Sequence, residues 1–80
     1  MRTIVIIPAY NEAQMVAEVV HRVREHIPDV IVVDDGSADA TGDRAEDAGA
    51  AVVRHCVNRG LGAALGTGIA AALQAGADVI

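Results

Sequence analysis

The sequence predicts an α/β domain, a parallel sheet covered by helices on both faces, in three layers. Two observations predict it. Short, continuous β-branched runs at residues 4–7 and 30–33 alternate with segments of helical periodicity. Polar and glycine-bearing stretches also recur just after the runs, where open α/β sheets gather their ligands.

Residues 4–7 make the first strand, and Pro8 is expected to end it. Asn11 then suits a helix cap, with Glu12 in the first turn. Met15, Val19, Val23 and Ile27 recur every four residues, with Val16 and Val20 beside them. Glu18, Arg22 and Glu25 take the opposite face, so the segment is an amphipathic helix that Pro28 closes. Glu18 and Arg22 stand in the favourable i,i+4 order.

Residues 30–33 are the second strand, and Asp34-Asp35-Gly36-Ser37 the turn after it. Ser37 or Asp39 can cap a second helix that Gly49 ends. Residues 51–54 read as a third, weaker strand, followed by a loop at 58–62. A helix of small residues is expected over 63–75, with Gly76 as its C-cap. Asp78-Val79-Ile80 looks like the opening of a fourth strand, so the chain reads as an N-terminal fragment truncated there. Strands and helices in this order imply right-handed crossovers.

Composition narrows the function. A chain of 80 residues buries a modest core, so a thin stability margin and exposed apolar helix faces are expected. Net charge is −5, and the cations are six scattered arginines with no lysine. That argues against nucleic acid as a partner. Cys56 is the single cysteine, which excludes an internal disulfide and suits a reducing, cytoplasmic setting. No signal peptide is visible, and no apolar stretch approaches the ~20 residues of a membrane span. Membrane contact, at the cytoplasmic face, would be peripheral or come from sequence outside these residues.

Three polar loops fall on one rim: Pro8-Ala9-Tyr10-Asn11-Glu12, Asp34-Asp35-Gly36-Ser37 and Asn58-Arg59-Gly60-Leu61-Gly62. An Asp at such a place either shapes a turn or accepts a hydrogen bond from a base or sugar. Tyr10, the only aromatic residue, either covers the sheet edge or stacks on a base. Arg59 could meet a diphosphate. Gly62, Gly66 and Gly68 would let the third helix approach the sheet or a ligand closely, since each internal glycine costs about 1 kcal/mol relative to Ala. The glycines are not the dinucleotide fingerprint, which follows the first strand. His21, His26 and His55 lack zinc-site spacing, Ser37 is in no nucleophile elbow, and there is no P-loop.

Residues 6–12, Ile-Ile-Pro-Ala-Tyr-Asn-Glu, resemble the opening of the family 2 glycosyltransferases. Residues 32–41, with Asp34-Asp35-Gly36-Ser37, resemble that family's second landmark, and residues 58–64 its third. The third leans toward the branch of dolichyl- and polyprenyl-phosphate sugar transferases. The resemblance spans essentially the whole chain. It implies a Rossmann-like GT-A fold, with residues 1–80 as the incomplete nucleotide-sugar-binding part of one glycosyltransferase domain. It further implies that Pro8, Tyr10 and Glu12 line the nucleoside pocket. Asp35, ahead of Asp34, would bind the base, with Arg59 and Gly60 near the nucleotide.

By the same resemblance the donor is a UDP- or GDP-linked sugar and the acceptor a polyprenyl or dolichyl phosphate or a saccharide. Transfer proceeds with inversion. Mg²⁺ or Mn²⁺ would be held by an Asp-x-Asp motif beyond residue 80, along with the catalytic residues. Two other readings stand. A nucleotidyltransferase would carry a Gly-rich cationic loop after strand one, where this chain has neither Gly nor cation. A non-catalytic nucleotide-binding fragment would need only the rim.

Overall fold

Alternation along the strands decides which side chains meet which helix. In the computed structural model, which describes residues 1–80, three strands lie parallel in the order β1 (Val5–Ala9), β2 (Val30–Asp34), β3 (Ala51–Arg54). Val30 and Val32, with Val5 and Ile7 beside them, face α1 (Val16–Arg24) and α2 (Thr41–Asp47). Ile31, Val33 and Ile4 point the other way, onto Ala64 and Ala72 of α3 (Leu61–Gln74). The layers are therefore α1/α2, sheet, α3. All five residues of β2 are buried, as a central strand requires.

The expected fourth strand is present as a single parallel bridge, Thr3 to Val79, with Ile4 N–H donating to the Val79 carbonyl at 2.9 Å. It lies on the flank of β1 away from β2, so β1 is the point where the winding reverses. In doubly wound sheets a ligand crevice opens at that point.

Two local expectations fail for identifiable reasons. Pro8 does not end β1; the strand runs through it to Ala9. Val5 donates toward β2, to the Asp29 carbonyl, and Ile4 donates to the opposite flank. Alternation puts the nitrogen of Pro8 on that opposite flank, where no ladder bond to β2 is lost. Asn11 does not cap α1, which starts five residues later with Met15 as its N-cap. Asn11 takes a left-handed conformation, φ 52°, and the N–H groups of residues 11–13 are drawn off to the next loop. α1 also ends at Arg24, before Ile27, while Val16 and Val20 form its buried face. The Glu18–Arg22 pair forms, at 2.8 Å.

The glycines of α3 divide. Gly68 packs against the sheet: a methyl there would lie well under 3.0 Å from Ile6 Cγ2 and 3.2 Å from Val33 Cγ2. Gly62 and Gly66 face open space, so close approach to the sheet explains Gly68 alone. Gly76, φ 87°, follows the C-cap Ala75. Leu61, Leu65, Ile69 and Leu73 line the outer side of α3 and are exposed.

This division predicts opposite signs. Gly66→Ala should stabilise the chain by up to about 1 kcal/mol through helix propensity. Gly68→Ala should destabilise it by about 1–3 kcal/mol, because overpacking against two β-branched side chains outweighs that gain. Urea denaturation of the two variants checks both; equal shifts would contradict the packing.

Candidate functional site

The site begins with neighbours that strand alternation separates. Asp34 and Asp35 are adjacent, so their side chains go to opposite faces of the sheet. Both are buried. Asp34, on the α2 side, accepts the Ser37 N–H at 3.1 Å. A methyl on Gly42 would crowd both Asp34 Oδ2, at 2.7 Å, and Arg54 Nε, at 2.8 Å. Asp34 lines a polar depression with Ser37, Asp39, Asp43 and Arg54, apart from the cavity described next. Arg54 itself pairs with Asp43 at 2.9 Å.

Asp35, on the α3 side, is bound at both oxygens. Oδ1 accepts the Arg59 N–H at 2.9 Å and lies 2.7 Å from His55 Nδ1; Oδ2 accepts the Gly60 N–H at 2.9 Å. The Arg59 N–H, then the His55 hydrogen bond, hold its carboxyl below the usual carboxylate range. Burial opposes this shift, and the Gly60 N–H adds to it. A carboxylate offers about four acceptor sites. Three are taken, so one on Oδ2 is left.

The first and second loops are stitched mainly by neutral groups. Asn11 N–H donates to Ser37 Oγ and Asn11 Oδ1 accepts the Ala38 N–H, both at 2.9 Å. Glu12 N–H donates to Thr41 Oγ1, and Ala13 N–H to Asp39 Oδ2. Neither expected residue is the N-cap of α2, which is Ala40: Asp39 accepts the Thr41 N–H at 3.0 Å from one residue further out, and Ser37 serves the stitch. The Thr41 hydroxyl bonded to Asp39 lowers its carboxyl. Gly36, φ 75°, lies so close to the Val57–Asn58 peptide that a methyl there would overlap it.

The three loops enclose an open cavity of about 160 Å³ lined by Pro8, Ala9, Tyr10, Asp35, Asn58, Gly60, Leu61 and Ala64. Of the residues expected there, Pro8, Tyr10, Asp35 and Gly60 come together. Glu12 does not; it borders a neighbouring groove with Ile7, Met15 and Val19. Arg59 contributes its backbone N–H, while its exposed guanidinium engages no carboxylate. Asn58 and Leu61, from the third loop singled out in the sequence, and Ala64, from α3, complete the lining. His55 was weighed from sequence only as a zinc ligand, and Thr67 was not singled out. The register pairs Asp34 with Arg54, which sets the next residues, Asp35 and His55, side by side. That pairing is a tertiary fact no local pattern carries.

The cavity is smaller than the ~300–1,000 Å³ of sites that enclose a drug-sized ligand. It would take one ring system rather than a whole donor molecule. No helix is long and apolar enough to cross a membrane.

A doubly wound parallel sheet with a loop-lined cavity at its carboxyl rim is the architecture of the Rossmann-like α/β proteins. The model of glycosyl transferase family 2 matches residues 4–75, and the chain belongs to that family. It is 40% identical over 87 aligned positions to the undecaprenyl-phosphate mannosyltransferase of Micrococcus luteus, covering 100% of this chain and 36% of that protein. It is likewise 40% identical over 87 positions to the polyprenol monophosphomannose synthase of Mycolicibacterium smegmatis, covering 99% of this chain and 33% of that one. A crystal structure of a mycobacterial protein matches with a TM-score of 0.75 and 34% identity, over 88% of this chain and 27% of that chain. The chain spans about a third of the length of the curated relatives it matches.

The depressed Asp35 carboxyl sets an acid limit. Its contribution is complete above the unfolded value of about 3.9 and is lost as pH falls through the lower folded value. The Arg59 and Gly60 amide resonances should therefore move together on acid titration, with a midpoint below the ordinary Asp value. Asp35→Asn should abolish that step. A midpoint at or above 3.9 would show the clamp is not formed.

Proposed function

We propose that residues 1–80 form the donor-binding part of a glycosyltransferase that transfers a sugar from a nucleoside-diphosphate sugar, UDP- or GDP-linked, with inversion. The observation that carries the reading is the meeting of three rim loops on one cavity, with Tyr10 and Asn58 at its wall, in a family 2 chain. Tyr10 is half exposed and free to stack on a base. Asn58 adds an amide that can both donate and accept. Asp35 is first the clamp that shapes this wall, and its direct share in reading a base is confined to the one remaining acceptor site.

The diphosphate is assigned to the start of α3. The N–H groups of Leu61, Gly62 and Ala63 have no backbone partner, and no side chain caps the helix. Such a terminus favours an anion. Gly62 presents no side chain to obstruct it.

Two relatives carry undecaprenyl phosphate or a polyprenol monophosphate in their names, which favours a lipid phosphate over a saccharide as acceptor. A phosphate oxygen would form the new bond to the anomeric carbon while the bond to the nucleoside diphosphate breaks, its electron pair leaving with the diphosphate. Such an acceptor is already an anion and needs no general base; a saccharide hydroxyl would. This acceptor would place the enzyme at a membrane surface.

Mg²⁺ or Mn²⁺ belongs to the proposal, but the side chains of residues 1–80 do not form its site. No three His, Cys, Asp or Glu side chains cluster to hold an ion. Asp34 and Asp35 cannot chelate together, since they lie on opposite faces. The ligands are assigned to an Asp-x-Asp motif in the longer protein.

Calorimetric titration of a protein that carries residues 1–80 together with the Asp-x-Asp motif, with UDP and with GDP, each with Mg²⁺, tests the donor site. At least one should bind. Tyr10→Ala should weaken it about tenfold, the scale of one base–aromatic stack. Binding of neither, or a Tyr10→Ala variant equal to the parent, would reject the reading.

A further inference from the structure

His55 stands just after β3, beside Asp35 across the rim. Its side chain is only 6% exposed. Nδ1 lies 2.7 Å from Asp35 Oδ1, and Nε2 lies 2.8 Å from Thr67 Oγ1, in the second turn of α3. These partners fix the tautomer. An ionised carboxylate only accepts, so Nδ1 carries the hydrogen. In the neutral ring Nε2 is then the acceptor, and the Thr67 hydroxyl donates to it. Both ring nitrogens are thus engaged within the protein.

The hydrogen bonds therefore run as one string. Thr67 is bonded to His55, His55 donates to Asp35, and Asp35 receives the Arg59 and Gly60 N–H groups. The string leaves the body of α3, crosses the ends of β3 and β2, and returns to the residues that open α3. Without the imidazole, Oδ1 would keep a single donor, and the carboxylate could turn about its side-chain torsions. Residues 58–60 would turn with it, and Asn58 and Gly60 are cavity wall.

We propose that His55, backed by Thr67, is a positioning residue for the nucleotide site: it orients Asp35, and through it the loop that walls the cavity. The identity of the cavity's ligand rests on the donor-site reading; the arrangement of the string does not.

Isosteres separate hydrogen bonding from space filling. Asn can place an amide N–H near the position of Nδ1, whereas Gln reaches toward that of Nε2. His55→Ala, His55→Gln, His55→Asn and Thr67→Val are compared in the full chain by NMR of the Arg59 and Gly60 amides, and by titration with UDP and GDP plus Mg²⁺. In the parent, ¹⁵N shifts of the His55 ring should report the Nδ1–H tautomer. His55→Ala and His55→Gln should displace both amide resonances and weaken nucleotide binding about tenfold, the loss of one hydrogen bond to a charged group. His55→Asn should hold both amides near their parent positions and keep affinity within about threefold. Thr67→Val should shift the tautomer balance and move the amides less than His55→Ala does.

Unmoved amides in His55→Ala, or His55→Asn as damaging as His55→Ala, would overturn the proposal. Should His55→Ala fail to fold, His55→Asn against His55→Gln still decides it. If the parent binds neither nucleotide, the donor reading fails, and the amide shifts alone still judge the role of His55.

Discussion

The rim depends on one buried carboxylate. Asp35 gathers donors from the end of β3 and from the loop before α3, and it does so while almost removed from water. A buried ionised group without partners would be costly enough to protonate or to pull the structure apart. Here the donors lower its carboxyl instead, so the charge persists and keeps drawing the loop inward. Gly36 completes the constraint from the other side, since any side chain there would displace the peptide that Asp35 helps to seat. The position of the third loop follows from these two residues together.

The join between the first and second loops uses different chemistry. Its bonds are neutral amide, hydroxyl and carboxamide contacts, with Asp39 as the one charged acceptor. Asn11 acts at both ends, donating its N–H and accepting at its side chain, which its left-handed backbone makes possible. One side of the cavity is thus held mainly by neutral hydrogen bonds, and the other by a buried charge.

Periodicity made the layers legible, because burial on a sheet depends on alternation and burial on a helix on a repeat near four. The runs at residues 4–7 and 30–33 gave the strands; in α1 the buried face is Val16 and Val20, while Met15 and Val19 of the expected stripe are exposed. Capping residues were read less well. Asn11 and Ser37 have side chains that satisfy backbone groups, but whether they serve their own helix or a neighbouring loop is decided by what folds against them. Pro8 misled for a similar reason: its missing N–H matters only if that flank of the strand is paired. The members of the cavity read from sequence, Pro8, Tyr10, Asp35 and Gly60, stood in the polar and glycine-bearing loops after the strands. His55 escaped because a lone histidine has no pattern until the register of β2 and β3 sets it beside a carboxylate.

The acidic pair shows how far a linear motif determines roles. Two consecutive residues at the end of a strand cannot both face one ligand, since the pleat turns them apart. Asp34 and Asp35 therefore had to divide their tasks: one stays with the α2 layer and closes the turn through Ser37, the other goes to the α3 layer and draws in the third loop. The repulsion expected of adjacent carboxylates is relieved by the same geometry, because each oxygen pair meets its own donors on its own side of the sheet. A substitution at either position therefore disturbs a different half of the rim. The two variants should not be read as weaker and stronger versions of a single defect.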